Sequence, residues 1–168
     1  TIFIGDTSVH EYPSSEQMAD MAVSTARVVR LFGFDPKVAF VSHSTFGQPL
    51  TSRTKHIKRA VDILKDKNVD FEFDGDMQPD VALNSEYEEL YPFAKIVGKA
   101  NILIMPGQHS AAISYKLMKT IGDTKVIGPL LIGLGLPIEI APLRTSTSEL
   151  INLASIAAYS AEKIDYNK

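Results

Sequence analysis

The chain has 168 residues, of which 45% are apolar and 22% charged, a composition typical of an ordinary soluble globular domain. Its net charge of −3 argues against a dedicated nucleic-acid-binding protein, and the absence of cysteine excludes disulfides, thiolate metal sites and cysteine nucleophiles. The longest apolar run, 126–138, is broken by glycine and proline and is too short to span a bilayer, and no signal-peptide pattern is visible. We therefore expect a cytoplasmic protein that binds neither nucleic acid nor membrane.

The first third of the chain predicts a strand, a helix and a second strand. Residues 2–4 indicate a strand, and Ser14 with Gln17 three positions later is typical of a capping box at the start of a helix. Gly33 stands where that helix should end. Residues 38–41 form a short apolar run typical of a buried strand.

The middle third continues this alternation. Apolar residues between Ile57 and Leu64 predict a second helix, and Phe71 and Phe73 alternate with acidic residues as in an edge strand. Prolines then break the chain into what we expect to be short helical turns. The clearest buried strand covers 101–105.

The last third predicts a helix ended by Gly122, two strands over 126–134 and 137–141, and an apolar helix from about Ser146 to Ile164. Ser146 and Glu149 have capping-box spacing at the start of that last helix. Alternating strands and helices predict a three-layer α/β/α sandwich with a mostly parallel sheet.

Charged residues are segregated along the sequence. Residues 53–67 contain six basic side chains, and residues 70–89 contain eight acidic ones. The simpler interpretation is a solvated basic helix face beside an acidic surface. The alternative is a basic rim that attracts a polyanionic ligand such as a nucleotide-bearing cofactor.

Two loops that follow predicted strands are candidate ligand sites, because ligands gather at the carboxyl ends of strands in open α/β sheets. The loop 42–47 offers the hydroxyls of Ser42 and Ser44, and either a phosphate loop or a plain polar turn explains it. The segment 106–110 contains His109 and precedes a helix, so it is either an anion site or a simple helix start.

No metal site is expected. The acidic residues from Asp74 to Asp80 resemble the start of a calcium loop, but Pro79 stands where glycine is needed and Ser85 where the closing glutamate belongs. The four histidines are scattered without metal-ligand spacing.

Several longer segments together resemble the phosphate acetyl/butyryltransferase family over nearly the whole chain. They are Gly5-Asp6-Thr7, the loop 41–47, the segments 74–84, 105–117 and 126–138, and Asn152-Leu153-Ala154. The variant is similar to the transacetylase-like domain at the C-terminus of bacterial NADP-dependent malic enzymes. This resemblance implies a fold like that of isocitrate and isopropylmalate dehydrogenases. It also implies that residues 1–141 are one α/β subdomain and that 142–168 return to another subdomain that precedes this sequence.

The resemblance also implies which residues would carry chemistry. Active members use a serine, an arginine and a more distant aspartate, and these positions are here Pro142, Leu143 and Glu149. Arg144, one residue out of register, offers a partial replacement for the arginine. By the family pattern the adenine end of coenzyme A (CoA) would lie near Val126, Ile127, Gly128 and Pro129, and its reactive end near Arg144 and Glu149.

The loss of the serine and arginine favours a non-catalytic domain, and the resemblance implies that it binds acetyl-CoA and regulates an attached malic enzyme. NADP and a divalent metal would then belong to the preceding malic enzyme part, and a homodimer or higher homo-oligomer is expected. Two alternatives stay open at this point. One is an active phosphate acetyltransferase, which forms acetyl phosphate and CoA from acetyl-CoA and phosphate. The other is a purely structural dimerisation domain.

Overall fold

The computed structural model describes residues 1–6, 8–122, 124–134 and 136–163. The described residues form two compact units, which divide between residues 115 and 116. The end of the last predicted helix, Ile164, lies outside the described residues. The boundary that the resemblance implies, at 141/142, concerns the family's subdomains and stays a prediction.

The first unit is built on a four-stranded, wholly parallel sheet. Its strands are β1 (Phe3–Gly5), β2 (Lys37–Val41), β3 (Glu72–Met77) and β4 (Ile102–Ile104), in the order β1-β4-β2-β3. The predicted edge strand at Phe73 is therefore confirmed as an edge of this sheet.

Helices cover both faces of the sheet, so the predicted sandwich is confirmed. On one face, α1 (Ser15–Leu31) and α2 (Ser52–Asp66) pack their apolar residues against Val38, Phe40, Ile102 and Ile104. On the other face, α3 (Pro79–Leu83) and the first turns of α4 (Gln108–Ile121) pack near Leu103 through Ala82 and Ala111. A 3₁₀ helix, Ser85–Glu89, follows α3, as expected for a stretch of short helical turns.

The two helices on the first face begin with reciprocal capping hydrogen bonds. In α1, the Gln17 backbone N–H donates to Ser14 Oγ at 3.1 Å and the Gln17 side chain accepts from the Ser14 backbone N–H at 2.7 Å. This confirms the predicted capping box. Thr51 and Thr54 make the equivalent pair at the start of α2, with threonine in place of the usual glutamate or glutamine.

The second unit differs from the prediction. Residues 126–134 and 137–141 contain no strand in the part of the chain that the structure describes, so the two predicted strands are wrong. Pro129 and Pro137 have no N–H for a strand ladder, and Gly128 has a φ of +120°. The Leu131 N–H donates to the Glu139 carboxylate at 3.2 Å instead of to a neighbouring strand.

The last helix, α5, covers Thr147–Lys163 and confirms the predicted apolar helix over its described length. Its apolar residues are largely exposed: Leu150, Ile151 and Tyr159 are 47%, 60% and 42% exposed. Among the described residues, no helix is both long and apolar enough to cross a membrane.

Candidate functional site

The carboxyl ends of all four strands meet at one edge of the sheet, because the strands are parallel. The loops that leave this edge therefore lie next to one another, and ligand sites of open α/β sheets are found there. Both loops predicted as ligand sites, 42–47 and 106–110, are at this edge.

The loop 42–47 surrounds a buried carboxylate. Ser44 is fully buried and its hydroxyl donates to Asp76 Oδ2, while the Gly47 backbone N–H donates to Asp76 Oδ1 at 3.0 Å. The Ser42 and Ser44 hydroxyl oxygens lie 3.2 Å apart. The hydroxyl of Ser44 thus points inward to an internal anion, and this geometry favours the polar turn over the phosphate loop.

Asp74, the other aspartate of β3, is also buried and binds backbone N–H groups. Its carboxylate accepts from the Gly75 N–H at 2.9 Å and from the Lys95 N–H at 2.7 Å. Asp74 and Asp76 therefore hold loops in place, and the described residues contain no cluster of metal-ligating side chains.

An Asp–His pair that the sequence reasoning passed over follows β1. The Asp6 carboxylate accepts the backbone N–H groups of Ser8, Val9 and His10 at 3.1, 2.7 and 3.0 Å, and it also binds His10 Nδ1. Burial raises the pKa of Asp6, but the hydrogen bonds from Val9, the His10 ring and the other backbone donors outweigh it and lower the pKa overall. The four-residue spacing of Asp6 and His10 after a strand is the sequence feature from which this pair could have been predicted.

His109 lies in the first turn of α4, directly after the β4–α4 loop, and its side chain is exposed. Next to it, Gln108 joins the start of α4 to the β1–α1 loop: its backbone N–H donates to Glu11 O at 3.3 Å and its side chain to Ser8 O at 3.4 Å. The structure thus places His109 at the predicted edge of the sheet.

The remaining predicted residues belong to the second unit. Val126 and Gly128 are half-buried, whereas Ile127 and Pro129 are exposed. Pro142, Leu143 and Arg144 are exposed, and Arg144 forms no ion pair with any described residue.

Glu149 caps the start of α5. Its carboxylate accepts from the Ser146 backbone N–H and hydroxyl, both at 2.8 Å, and pairs with Lys119 Nζ at 3.2 Å. The hydrogen bonds from the Ser146 backbone and hydroxyl, followed by Lys119, lower the pKa of Glu149 to about 2. The predicted capping role of Glu149 is confirmed.

The basic residues of 53–67 fall into two groups, one paired with acidic residues and one exposed. Lys65 pairs with Asp62 at 2.7 Å, and Lys67 pairs with Asp20. The side chains nearer the start of the helix, Arg53, Lys55, Lys58 and Arg59, are exposed.

Residues 1–158 match the phosphate acetyl/butaryl transferase family. The chain belongs to this family. Its curated relatives include an NADP-dependent malic enzyme of Rhizobium meliloti (strain 1021), which is 47% identical over 96% of this chain and 21% of the malic enzyme. A phosphate acetyltransferase of Clostridium acetobutylicum is 33% identical over 96% of this chain and 49% of the acetyltransferase. The resemblance inferred from the sequence motifs is thereby confirmed.

Solved structures of the family share the fold. A phosphotransacetylase from Streptococcus pyogenes is 30% identical and has a TM-score of 0.90, over 96% of this chain and 49% of the phosphotransacetylase. The chain thus spans about a fifth of the malic enzymes that it matches and about half of the phosphate acetyltransferases.

Proposed function

We propose that this member of the phosphate acetyl/butaryl transferase family is an acetyl-CoA-binding regulatory region of an NADP-dependent malic enzyme. One observation carries the proposal: Pro142 and Leu143 stand where the family pattern has its serine and arginine. Acyl transfer to phosphate needs a hydroxyl to stabilise the developing oxyanion and a guanidinium to hold phosphate. Proline and leucine supply neither.

The state of Glu149 supports the loss of chemistry. A general base works best when its pKa is near the operating pH. With a pKa of about 2 and its oxygens bonded to Ser146 and Lys119, the Glu149 carboxylate is a poor acceptor for a thiol proton. Its role as a helix cap accounts for its presence.

Binding of CoA is compatible with the groups that remain. Ile127 and Pro129 offer exposed apolar surface for an adenine ring, and Arg144 is an exposed cation at the position that the family pattern gives to the reactive end of the coenzyme. These side chains would hold acetyl-CoA as an effector. NADP and a divalent metal, in this proposal, belong to the malic enzyme part of the parent protein, which oxidises and decarboxylates malate to pyruvate.

Regulation would act by a shift between two arrangements of a homo-oligomer, a dimer or larger. The effector must bind one arrangement more tightly, and coupling of this kind is typically about 1–3 kcal/mol. The identity of 47% to a malic enzyme over nearly the whole chain is the observation that favours such a parent.

The decisive experiment measures malate oxidation by the full-length protein with and without acetyl-CoA. We expect acetyl-CoA to change the rate and the Arg144→Gln variant to respond only at higher acetyl-CoA concentrations. Arg27→Gln, an exposed arginine on α1, is the matched control and should respond like the unmodified protein. A rate that is insensitive to acetyl-CoA, together with no binding in calorimetry, would contradict the proposal and favour a structural dimerisation domain.

An active phosphate acetyltransferase is the second candidate, favoured by the likeness to phosphotransacetylase structures. The test is formation of acetyl phosphate from acetyl-CoA and phosphate by the full-length protein. We expect none above the uncatalysed rate. Turnover that disappears in an Arg144→Gln variant would establish this candidate instead.

A further inference from the structure

A surface that combines aromatic rings with carboxylates lies beside α3 in the first unit. The ring centroids of Phe46, Tyr91 and Phe93 lie 4.9 to 6.1 Å apart. Phe93 and Leu90 are 63% and 67% exposed, and apolar side chains that are exposed side by side are typical of an interaction site. We call this surface the aromatic–acidic patch, and its carboxylates are those of Asp80, Glu86, Glu88 and Glu89.

The carboxylates of the patch form no ion pair with any described residue. Glu88 accepts from a neutral donor, the Gly98 backbone N–H, at 2.5 Å. Residues 80–99 contain four acidic and two basic side chains, a net charge of −2. Glu88 also lines the same small cavity as Phe46 and Tyr91. A carboxylate beside aromatic faces favours a cationic partner, because the cation is attracted to both groups.

The exposed side of α2 has the opposite charge. Lys55, Lys58 and Arg59 are exposed, and their spacing of three and four positions places them on one face of the helix, the basic face of α2. They form no ion pair within the part of the chain that the structure describes. Lysine and arginine can cover an apolar surface with their aliphatic stems while their charged ends meet carboxylates.

The two surfaces lie on opposite faces of the sheet, so they cannot meet within one copy. α2 packs on the core around Val38 and Phe40, whereas Phe46 and Ile96 belong to the core on the other face. Two patches facing each other would oppose carboxylates, and like charges across an interface are costly. The complementary contact is therefore between unlike surfaces of two copies.

We infer that the basic face of α2 docks on the aromatic–acidic patch of a second copy of this chain. The cations of α2 would then meet the rings of Tyr91 and Phe93 and the carboxylates of Glu88 and Glu89. Such a contact repeats from copy to copy and forms a ring where the rotation between copies closes. The inference deepens the proposed function only by naming an interface for its homo-oligomer.

Charge reversal tests this contact in the full-length protein, with the weight-average mass from sedimentation equilibrium as the readout. One variant combines Lys55→Glu with Lys58→Glu, and the other combines Glu86→Lys with Glu89→Lys. We expect either variant to weaken association about tenfold or more, because like charges then face each other. A protein with all four substitutions should associate within about threefold of the unmodified protein. An equimolar mixture of the two variants should associate as well, since each α2 then meets a patch of opposite charge.

Controls separate this contact from general effects of charge and exposure. Phe93→Ser should weaken association, whereas Tyr12→Ser, at an aromatic residue that is 71% exposed on the loop before α1, should not. Asp35→Lys reverses an exposed charge outside both surfaces and should leave the mass unchanged. The thermal transition of each variant verifies that it folds. Association of the unmodified protein should weaken as the salt concentration rises, because salt screens exposed charges.

The inference is overturned if neither reversal lowers the mass, or if neither the protein with four substitutions nor the mixture regains association. It is also overturned if the patch variants weaken association and the α2 variant does not, since a different partner would then occupy the patch. Acetyl-CoA is absent from all these measurements. A malate oxidation rate that is insensitive to acetyl-CoA would therefore contradict the proposed regulation and leave this contact standing.

Discussion

At the scale of single residues, the buried carboxylate of Asp76 organises the loop after β2. It is 2% exposed and accepts from the Ser44 hydroxyl and the Gly47 N–H, two donors that lie about thirty residues earlier in the chain. Buried polar groups without partners are costly, so each member of this group depends on the others.

Asp76→Asn should therefore destabilise the protein. The new amide would place N–H groups where the loop already presents donors, and we expect a loss of about 1–3 kcal/mol in the free energy of unfolding. Urea denaturation measures this loss. The control is Asp35→Asn, an exposed aspartate whose replacement should change stability by less than about 0.5 kcal/mol. Equal effects of the two variants would show that the Asp76 bonds do not hold the loop.

The same residue shows why the site was only partly predictable. The sequence identified the loop 42–47 from its hydroxyls and its place after a strand. It did not show which way Ser44 points, because that direction depends on Asp76, a partner on another strand. Asp6 and His10 are close in sequence, so their pairing could have been predicted from their spacing. Two polar residues four positions apart are nevertheless common in turns, and only the pairing of β1 with β4 shows that this turn lies beside another loop.

At the scale of elements, the start of α5 depends on an ionised Glu149. Its folded-state pKa of about 2 is below the ordinary 4.5, so its stabilising effect is fully present above pH 4.5 and is lost as the pH falls toward 2. Glu149→Gln keeps a capping-box side chain but does not titrate. We expect the unmodified chain to melt at a higher temperature than this variant at pH 6 and the difference to shrink at pH 3.

The measurement is the thermal transition of α-helical circular dichroism at both pH values. Glu162→Gln, in the last turn of the same helix, is the control and should not lower the melting temperature at pH 6, because a negative charge is unfavourable at a helix C-terminus. A Glu149→Gln effect that is equal at pH 6 and pH 3 would contradict the role of the charge.

The contact between β2 and β3 leaves no room for a side chain at Gly75. A Cβ there would lie 2.7 Å from Phe40 Cβ and 2.8 Å from Phe40 O. The φ of Gly75, +153°, is also unfavourable for residues other than glycine. Gly75→Ala should cost about 1–3 kcal/mol in urea denaturation, the usual range for overpacking. Gly98 also has a positive φ, +79°, but nothing lies within 4 Å of a Cβ at that position. Gly98→Ala therefore tests the unfavourable backbone conformation alone and should lower the free energy of unfolding by less.

Elements were predictable where their signals are local. The capping boxes at Ser14 and Ser146 use residues three apart, and both are present in the structure. The strands expected over 126–134 and 137–141 failed because a strand also needs a neighbour to bond with. Apolar residues in that segment indicated burial and carried no information about a pairing partner, while Pro129 and Pro137 remove two donors.

At the scale of the whole molecule, apolar burial is unevenly distributed between the two units. Both core clusters lie within residues 1–115, around β2 and β4. In the described part of the second unit, Leu153 is the one apolar side chain that is buried below a tenth exposure. Local opening is favoured where few apolar contacts hold the backbone, so the two units should differ in stability.

Native-state hydrogen exchange should show this difference directly. In the 168-residue chain alone, amides of α1, β2 and β4 should be the most protected, and amides of 126–134 should exchange fastest. In the full-length parent, the exposed apolar face of α5 would gain a covering surface if the helix packs on a preceding subdomain, as the family pattern implies. Protection of α5 amides should then rise about tenfold or more over the chain alone. Equal protection of α5 in the two proteins would mean that Leu150, Ile151 and Tyr159 stay exposed in the parent, and the implied packing of this helix would be wrong.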